Sequence, residues 1–213
     1  MSKLTALYKK CTLNGCNFLM VLLRTAFYNL LGLNITIHHK AKIVGRKNII
    51  VSGKLSVGMA YVGFKSRNDS TYINAQGKLE VDGNFSVGRG TRISVRNGAK
   101  LKLGNDGYIT ADTLIIAENS ISIGHNCAIS WGVQLLDDDF HSISYEGYYP
   151  KDSQIIIGNH VWIGSNALIF KGTKIPDDCV VAAGSVVRGE FKESGCLIAG
   201  NPAKVVKKNV EWN

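Results

Sequence analysis

The chain has no CxxC pair, and none of its five cysteines, Cys11, Cys16, Cys127, Cys179 and Cys196, stands at zinc-finger spacing from a histidine. An odd number cannot all pair within one chain, so a disulfide framework is excluded as the organising principle and a reduced, cytoplasmic protein is expected. A compact basic, apolar and small-residue leader is also missing, so no cleaved signal is expected. Long apolar runs are absent too: "FLMVLLRTAFYNLL" (18–31) carries Arg24 and Asn29 and falls short of the roughly 20 residues a spanning helix needs. Acidic residues are scarce in one half only. Residues 1–110 hold 17 Lys/Arg against 4 Asp/Glu, and residues 111–213 hold 8 against 12. The basic half favours an anionic partner, a phospholipid surface or an acidic glycan, because summed surface charge steers association; a nucleic-acid partner is not expected.

What is present fits one domain with an N-terminal extension, since 213 residues leave little room for a second full core. Residues 1–34 read as an amphipathic helical extension. With Lys3, Lys9, Lys10 and Arg24 close by, it could lie on the inner face of an anionic membrane, or equally pack on a neighbouring subunit or on the end of the core.

From Ile157 the sequence parses into hexads: "IGNHVW", "IGSNAL", "IFKGTK", "IPDDCV", "VAAGSV" and "VRGEFK". Aliphatic residues fall at 157, 163, 169, 175, 181 and 187, and a compact residue (Val161, Ala167, Thr173, Cys179, Ser185) follows four places after each of the first five. The same phase starts at 123, 129 and 135 in "IGHNCA", "ISWGVQ" and "LLDDDF". A period of six matches neither the 3.6 of a helix nor simple strand alternation. It fits short strands joined by sharp corners, three hexads to a coil, with the aliphatic residues stacked inside a prism. A β-sandwich has no reason to hold aliphatic residues in strict phase. Upstream the pattern is looser, and a parallel β-helix is expected over 35–192, with a tail over 193–213.

"IGNHVWIGSNALIFKGTKIPDDCVVAAGSVV" followed by "IAGNPAKVV" resembles the C-terminal half of the hexapeptide-repeat acyltransferases, and within them the sugar O-acetyltransferases of bacterial surface polysaccharides. The resemblance is specific over residues 121–206. It implies an all-β solenoid, a left-handed parallel β-helix, that assembles as a homotrimer and binds acetyl-CoA in a groove between neighbouring prisms.

"LLDDDFHSIS" (135–144) breaks the repeat. The next wall residue after Leu135 is due at position 141, which is His141, yet the phase resumes only at Ile157, an excess of about 16 residues. Such an insertion must leave the prism as an exposed loop, here about 141–156, and loops on rigid scaffolds often carry chemistry. If 137–141 is extended, Asp137, Asp139 and His141 share one side. A carboxylate beside an imidazole fixes its tautomer and stabilises the imidazolium, and an alcohol acceptor needs a base to become a nucleophile. The resemblance places the catalytic histidine at His141. Asp139 is expected to orient it or to hold an acceptor hydroxyl. Asp137, Tyr145 and Tyr148 are expected to contact a sugar, since the loop is rich in ring surface.

For the acyl donor, the resemblance implies that Trp162 and Ser165 in "VWIGSNA" line the acetyl-CoA channel near the thioester, where a donor would hold the oxyanion. The small residues Ala183 and Gly184 of "AAGS" suit a pantetheine arm, and Lys204 in "GNPAK" suits the phosphates; Lys207 and Lys208 read equally well as phosphate ligands or as a solvated basic tail. No metal is expected, because His38, His39, His125, His141 and His160 form no matching set for a three-imidazole zinc centre. The expected activity is acetyl-CoA-dependent O-acetylation of a sugar or glycan acceptor, free or lipid-linked. The alternatives are N-acetylation of a nucleotide-linked amino sugar and a β-helix scaffold without activity.

Overall fold

The computed structural model describes residues 3–60, 63, 69–142, 146 and 152–213. Two helices, α1 (Lys3–Leu13) and α2 (Phe18–Leu30), precede a prism of short strands on three faces. The first face stacks strands from Ile35–Ile37 up to Leu197–Gly200, the second runs from Lys42–Val44 to Val186–Val187, and the third from Ile49–Val51 to Lys174–Ile175. Neighbours on each face pair in parallel, apart from a final antiparallel strand, Ala203–Lys207, on the first face.

Alternation explains the core. On the first face Ile37, Val57, Val87, Ile109, Ile129, Ile163, Val181 and Ile198 are in register and buried. Equivalent ladders on the second and third faces include Ile73, Ile93, Ile115, Leu135, Ile169 and Val187, and Val81, Leu103, Ile123, Ile157 and Ile175. No rung could bury itself alone, so stacked coils are the stable unit. One rung departs from aliphatic uniformity. Phe85 faces Gly107, where an added Cβ would lie 2.5 Å from the Phe85 ring, so the missing side chain makes room for the large one.

The compact residues of the hexads, Val161, Ala167, Thr173, Cys179 and Ser185, are buried, and at the third-to-first edge polar side chains add a second ladder. Asn105 Oδ1 accepts the Asn84 N–H at 2.7 Å, and His125 Nδ1 accepts the Asn105 N–H at 2.8 Å. One coil further on, Asn159 Oδ1 accepts the His125 N–H at 2.9 Å, and Asp177 Oδ1 accepts the Asn159 N–H at 2.7 Å. Backbone donors at this edge are thereby satisfied by side chains.

Leu135 pairs with Ile169 and Ile123 with Ile157, so the prism resumes at Ile155 after the strand that ends at Leu136. A second insertion went unread in the sequence. Val57 pairs with Val87, a step about ten residues longer than the one between Ile37 and Val57, and the extra residues fall between the strands Lys54–Val57 and Tyr72–Ala75. The expected tail also starts inside the fold. Leu197 pairs with Val180, and the hairpin formed with Ala203–Lys207 covers the free edge of the first face. All five cysteines are free thiols.

Candidate active site

Two edges of the prism collect the expected residues. At the second-to-third edge the strand ends at Leu136. Asp137 does not join a surface cluster. It is fully buried, its carboxylate accepting the Glu118 N–H at 2.7 Å and the Asn119 N–H at 2.9 Å. Burial pushes its acid up in pKa against the pull of those two donors. The expectation that Asp137 contacts a sugar is therefore corrected: it ties the corner after Leu136 to the corner of the preceding coil.

Beyond it the chain is not extended. Phe140 has φ +60°, and its N–H donates to Asp138 Oδ1 at 2.6 Å, a local turn typical of aspartate. This turn breaks the alternation that would have aligned Asp139 with His141. Asp139 instead meets Lys171 of the following coil, Nζ to Oδ2 2.7 Å, so the expected Asp139–His141 contact is replaced by an ion pair across the edge. His141 is exposed, and no hydrogen bond or ion pair reaches it among the described residues. Tyr145 and Tyr148 lie outside the described residues.

At the first-to-second edge three corners stack. The Gly184 N–H donates to the Ser165 carbonyl at 2.9 Å, and the Asn166 N–H to the Trp131 carbonyl at 3.0 Å. Ala183 and Gly184 are exposed, and nothing lies within 4 Å of where a Gly184 side chain would begin. The edge thus presents Trp131, half-buried Ser165 and a smooth stretch of small residues one above another. Trp131 was missed in the sequence, although it holds in "ISWGVQ" the place that Ser165 holds in "IGSNAL". Trp162 lies outward on the first face, 40% exposed, its Nε1 donating to Ser130 Oγ at 3.0 Å. Lys204 pairs opposite Ala199, and the Gly200 N–H reaches Ser185 Oγ at 3.3 Å. Ser165, Ala183, Gly184 and Lys204 therefore border one strip, which Trp162 flanks. Lys208 is held by Glu193 at 2.8 Å, while Lys207 is exposed.

A cavity of about 490 Å³ opens elsewhere, at the third-to-first edge, lined by His160, Asp178, Gly195 and residues 209–213. It is shaped by the tail: Trp212 stacks on His160 with ring centres 4.2 Å apart and donates from Nε1 to the His160 carbonyl at 3.0 Å. None of the expected catalytic or donor-site residues lines it.

The family described as the hexapeptide repeat of succinyl-transferase matches residues 154–188. A Klebsiella pneumoniae protein described as an uncharacterized 24.8 kDa protein in the cps region is 40% identical over 215 residues, covering 100% of this chain and 96% of its own. The crystal structure of the polySia-specific acetyltransferase NeuO is 24% identical, with a TM-score of 0.51, over 84% of this chain and 89% of that one. A mutant of AntD, an N-acyltransferase from Bacillus cereus crystallised with dTDP and coenzyme A, is 20% identical with a TM-score of 0.50, over 86% and 88%. The fold is the left-handed parallel β-helix, and the chain belongs to the hexapeptide-repeat acyltransferase family.

Proposed function

We propose that the protein is an acetyl-CoA-dependent O-acetyltransferase of surface polysaccharide, working as a homotrimer whose sites lie between protomers. The observation that carries this reading is the second face. Its outward residues Leu114, Ile116, Leu136, Leu168, Phe170 and Val186 make it largely apolar between the two edges just described, with Gln134 the one polar residue among them. A partly exposed apolar sheet face of this kind needs a cover. Three copies closed around that face bring the His141 edge of one against the Ser165 and Gly184 edge of the next, because a cyclic contact joins different edges of neighbouring copies.

In such a groove the strip over Ala183 and Gly184 gives a pantetheine arm close access to backbone, and Lys204 supplies charge for the diphosphate. His141 takes the proton of the acceptor hydroxyl as its oxygen attacks the thioester carbonyl. The carbon–sulfur bond then breaks, and the imidazolium returns the proton to the leaving thiolate. A donor at Ser165 holds the oxyanion, a contribution of about 3 kcal/mol when well aimed. The basic half of the chain and the cps-region relative favour an acidic or capsule glycan as acceptor.

The test is CoA release from acetyl-CoA with a panel of isolated polysaccharides, lipid-linked glycans and nucleotide sugars bearing either hydroxyl or amino acceptors. Turnover with a glycan, abolished in His141→Ala, is expected. Turnover confined to amino sugars would replace O- by N-acetylation, and acetyl-CoA binding without turnover on any acceptor would remove the enzymatic reading.

A further inference from the structure

The N-terminal helices cap the base of the prism, and α2 has two unlike sides. Its inward side buries Val21 against Cys11 and Met59, and Tyr28 in the main core. Arg24 also points inward, its guanidinium donating to the carbonyls of His38 at 2.9 Å and of His39 and Ala41 at 2.7 Å. It is therefore a cap for the first coil rather than one of the surface cations the sequence placed beside the helix. The outward side carries Leu19, Met20, Leu23, Phe27 and Leu30, with Leu23 58% and Leu30 87% exposed. These residues recur at three- and four-residue steps, so they form a single stripe.

Charge borders the stripe on one side. The Arg46 guanidinium sits 5.1 Å over the Phe27 ring, with Lys47 next in the chain, both exposed. More broadly, residues 1–68 contain 11 Lys/Arg and not one Asp or Glu. Two such bases facing each other would repel, whereas an apolar stripe set in an acid-free surround complements a film of apolar chains under anionic headgroups. Among the described residues no helix is long and apolar enough to cross a membrane.

We infer that the α2 stripe and its Arg46–Lys47 margin dock the protein on the surface of an anionic phospholipid bilayer. The helix lies in the interface with Leu19, Leu23, Phe27 and Leu30 among the upper acyl chains, and the prism stands away from the membrane. In any threefold assembly the three stripes lie at the same end, so they engage one surface together and avidity multiplies a weak single contact. The docking stands apart from the acetyl-transfer reading, and it would favour acceptors held at that surface.

The full chain is tested by flotation with vesicles of phosphatidylcholine alone or with about 30% phosphatidylglycerol. Binding to the anionic vesicles, reduced by salt, is expected. Leu23→Glu with Leu30→Glu should weaken it about tenfold or more, and Arg46→Glu should weaken it while leaving the stripe intact. Equal binding to neutral vesicles, no flotation of the wild-type chain, or retention by the Leu23→Glu/Leu30→Glu chain would each overturn the inference. So would a fall in the particle's solution mass in that variant, which would show a second copy on the stripe. CoA turnover on a soluble acceptor, measured on the same samples, separates this outcome from failure of the enzymatic reading.

Discussion

Asp139 and Lys171 close an ion pair of 2.7 Å at the second-to-third edge of the prism, two residues before His141. Both side chains are about three-quarters covered, and a partly exposed pair of this kind contributes little to stability, up to about 1 kcal/mol. Its effect is therefore positional. It ties the loop carrying the proposed base to the rigid coil above, and loss of that tether should lower kcat about tenfold with little change in melting temperature. Asp139→Asn and Lys171→Met should cost the same, and their combination no more than the worse single change. Lys171→Arg should restore most of the rate. Steady-state kinetics check this, and additive losses would mean that the two residues act separately.

If each site is built from the His141 edge of one protomer and the Ala183–Gly184 edge of the next, two defects on different edges can complement. Ala183 is exposed, so Ala183→Arg should leave folding within about 0.5 kcal/mol of wild type while blocking the strip proposed for the pantetheine arm. His141→Ala should leave CoA binding intact. Unfolding and refolding the two inactive chains together at equal amounts should restore up to about a quarter of wild-type turnover, the fraction of interfaces that join two intact edges. A site contained within one chain would restore nothing.

The last hexads were legible because each coil from Trp162 to Val180 spends its residues on strand and corner with none to spare. Upstream, coils such as Ile93 to Ile115 carry extra residues at the corners, which leaves the aliphatic rungs in place but slides their spacing. The break at Asp137–His141 could be located by counting phase, but its chemistry could not. The left-handed turn at Phe140 takes His141 out of alternation with Asp139, and Asp139 meets Lys171, a partner 32 positions away that no local pattern announces. Trp212 is similar. Its stacking on His160 depends on the tail folding back over the corner, where the Val210 N–H donates to the Gly195 carbonyl at 2.8 Å.

Asp137 should prove structural when replaced. Removing its buried carboxylate leaves the Glu118 and Asn119 N–H groups of the corner without their charged acceptor, which costs about 1–3 kcal/mol. Asp137→Ala should lower the denaturation midpoint accordingly, and Asp137→Asn by less, since one oxygen still accepts. An acceptor KM that rose for Asp137→Asn with stability unchanged would return the residue to the sugar site.

His38 predicts an acid-sensitive fold. The ring is 1% exposed; its Nδ1 accepts the Lys40 N–H at 3.1 Å, while Nε2 is buried without a hydrogen-bond partner among the described residues. Burial, followed by the positive surroundings of Arg89, His39, Lys40 and Arg24, pushes its pKa down to about 3. An unfolded chain takes up the proton near pH 6.5, so between these values the unfolded state binds more protons than the folded one. Stability contributed by the neutral ring is present above that window and is lost as pH falls through it, by up to about 3 kcal/mol between pH 7 and pH 4. His38→Asn cannot titrate. It should be less stable at pH 7, where it loses packing, yet show a smaller drop in melting temperature from pH 7 to pH 4 than the wild-type chain. Thermal melts of both proteins across that range decide the matter: an equal drop in the two would assign the acid sensitivity to other groups.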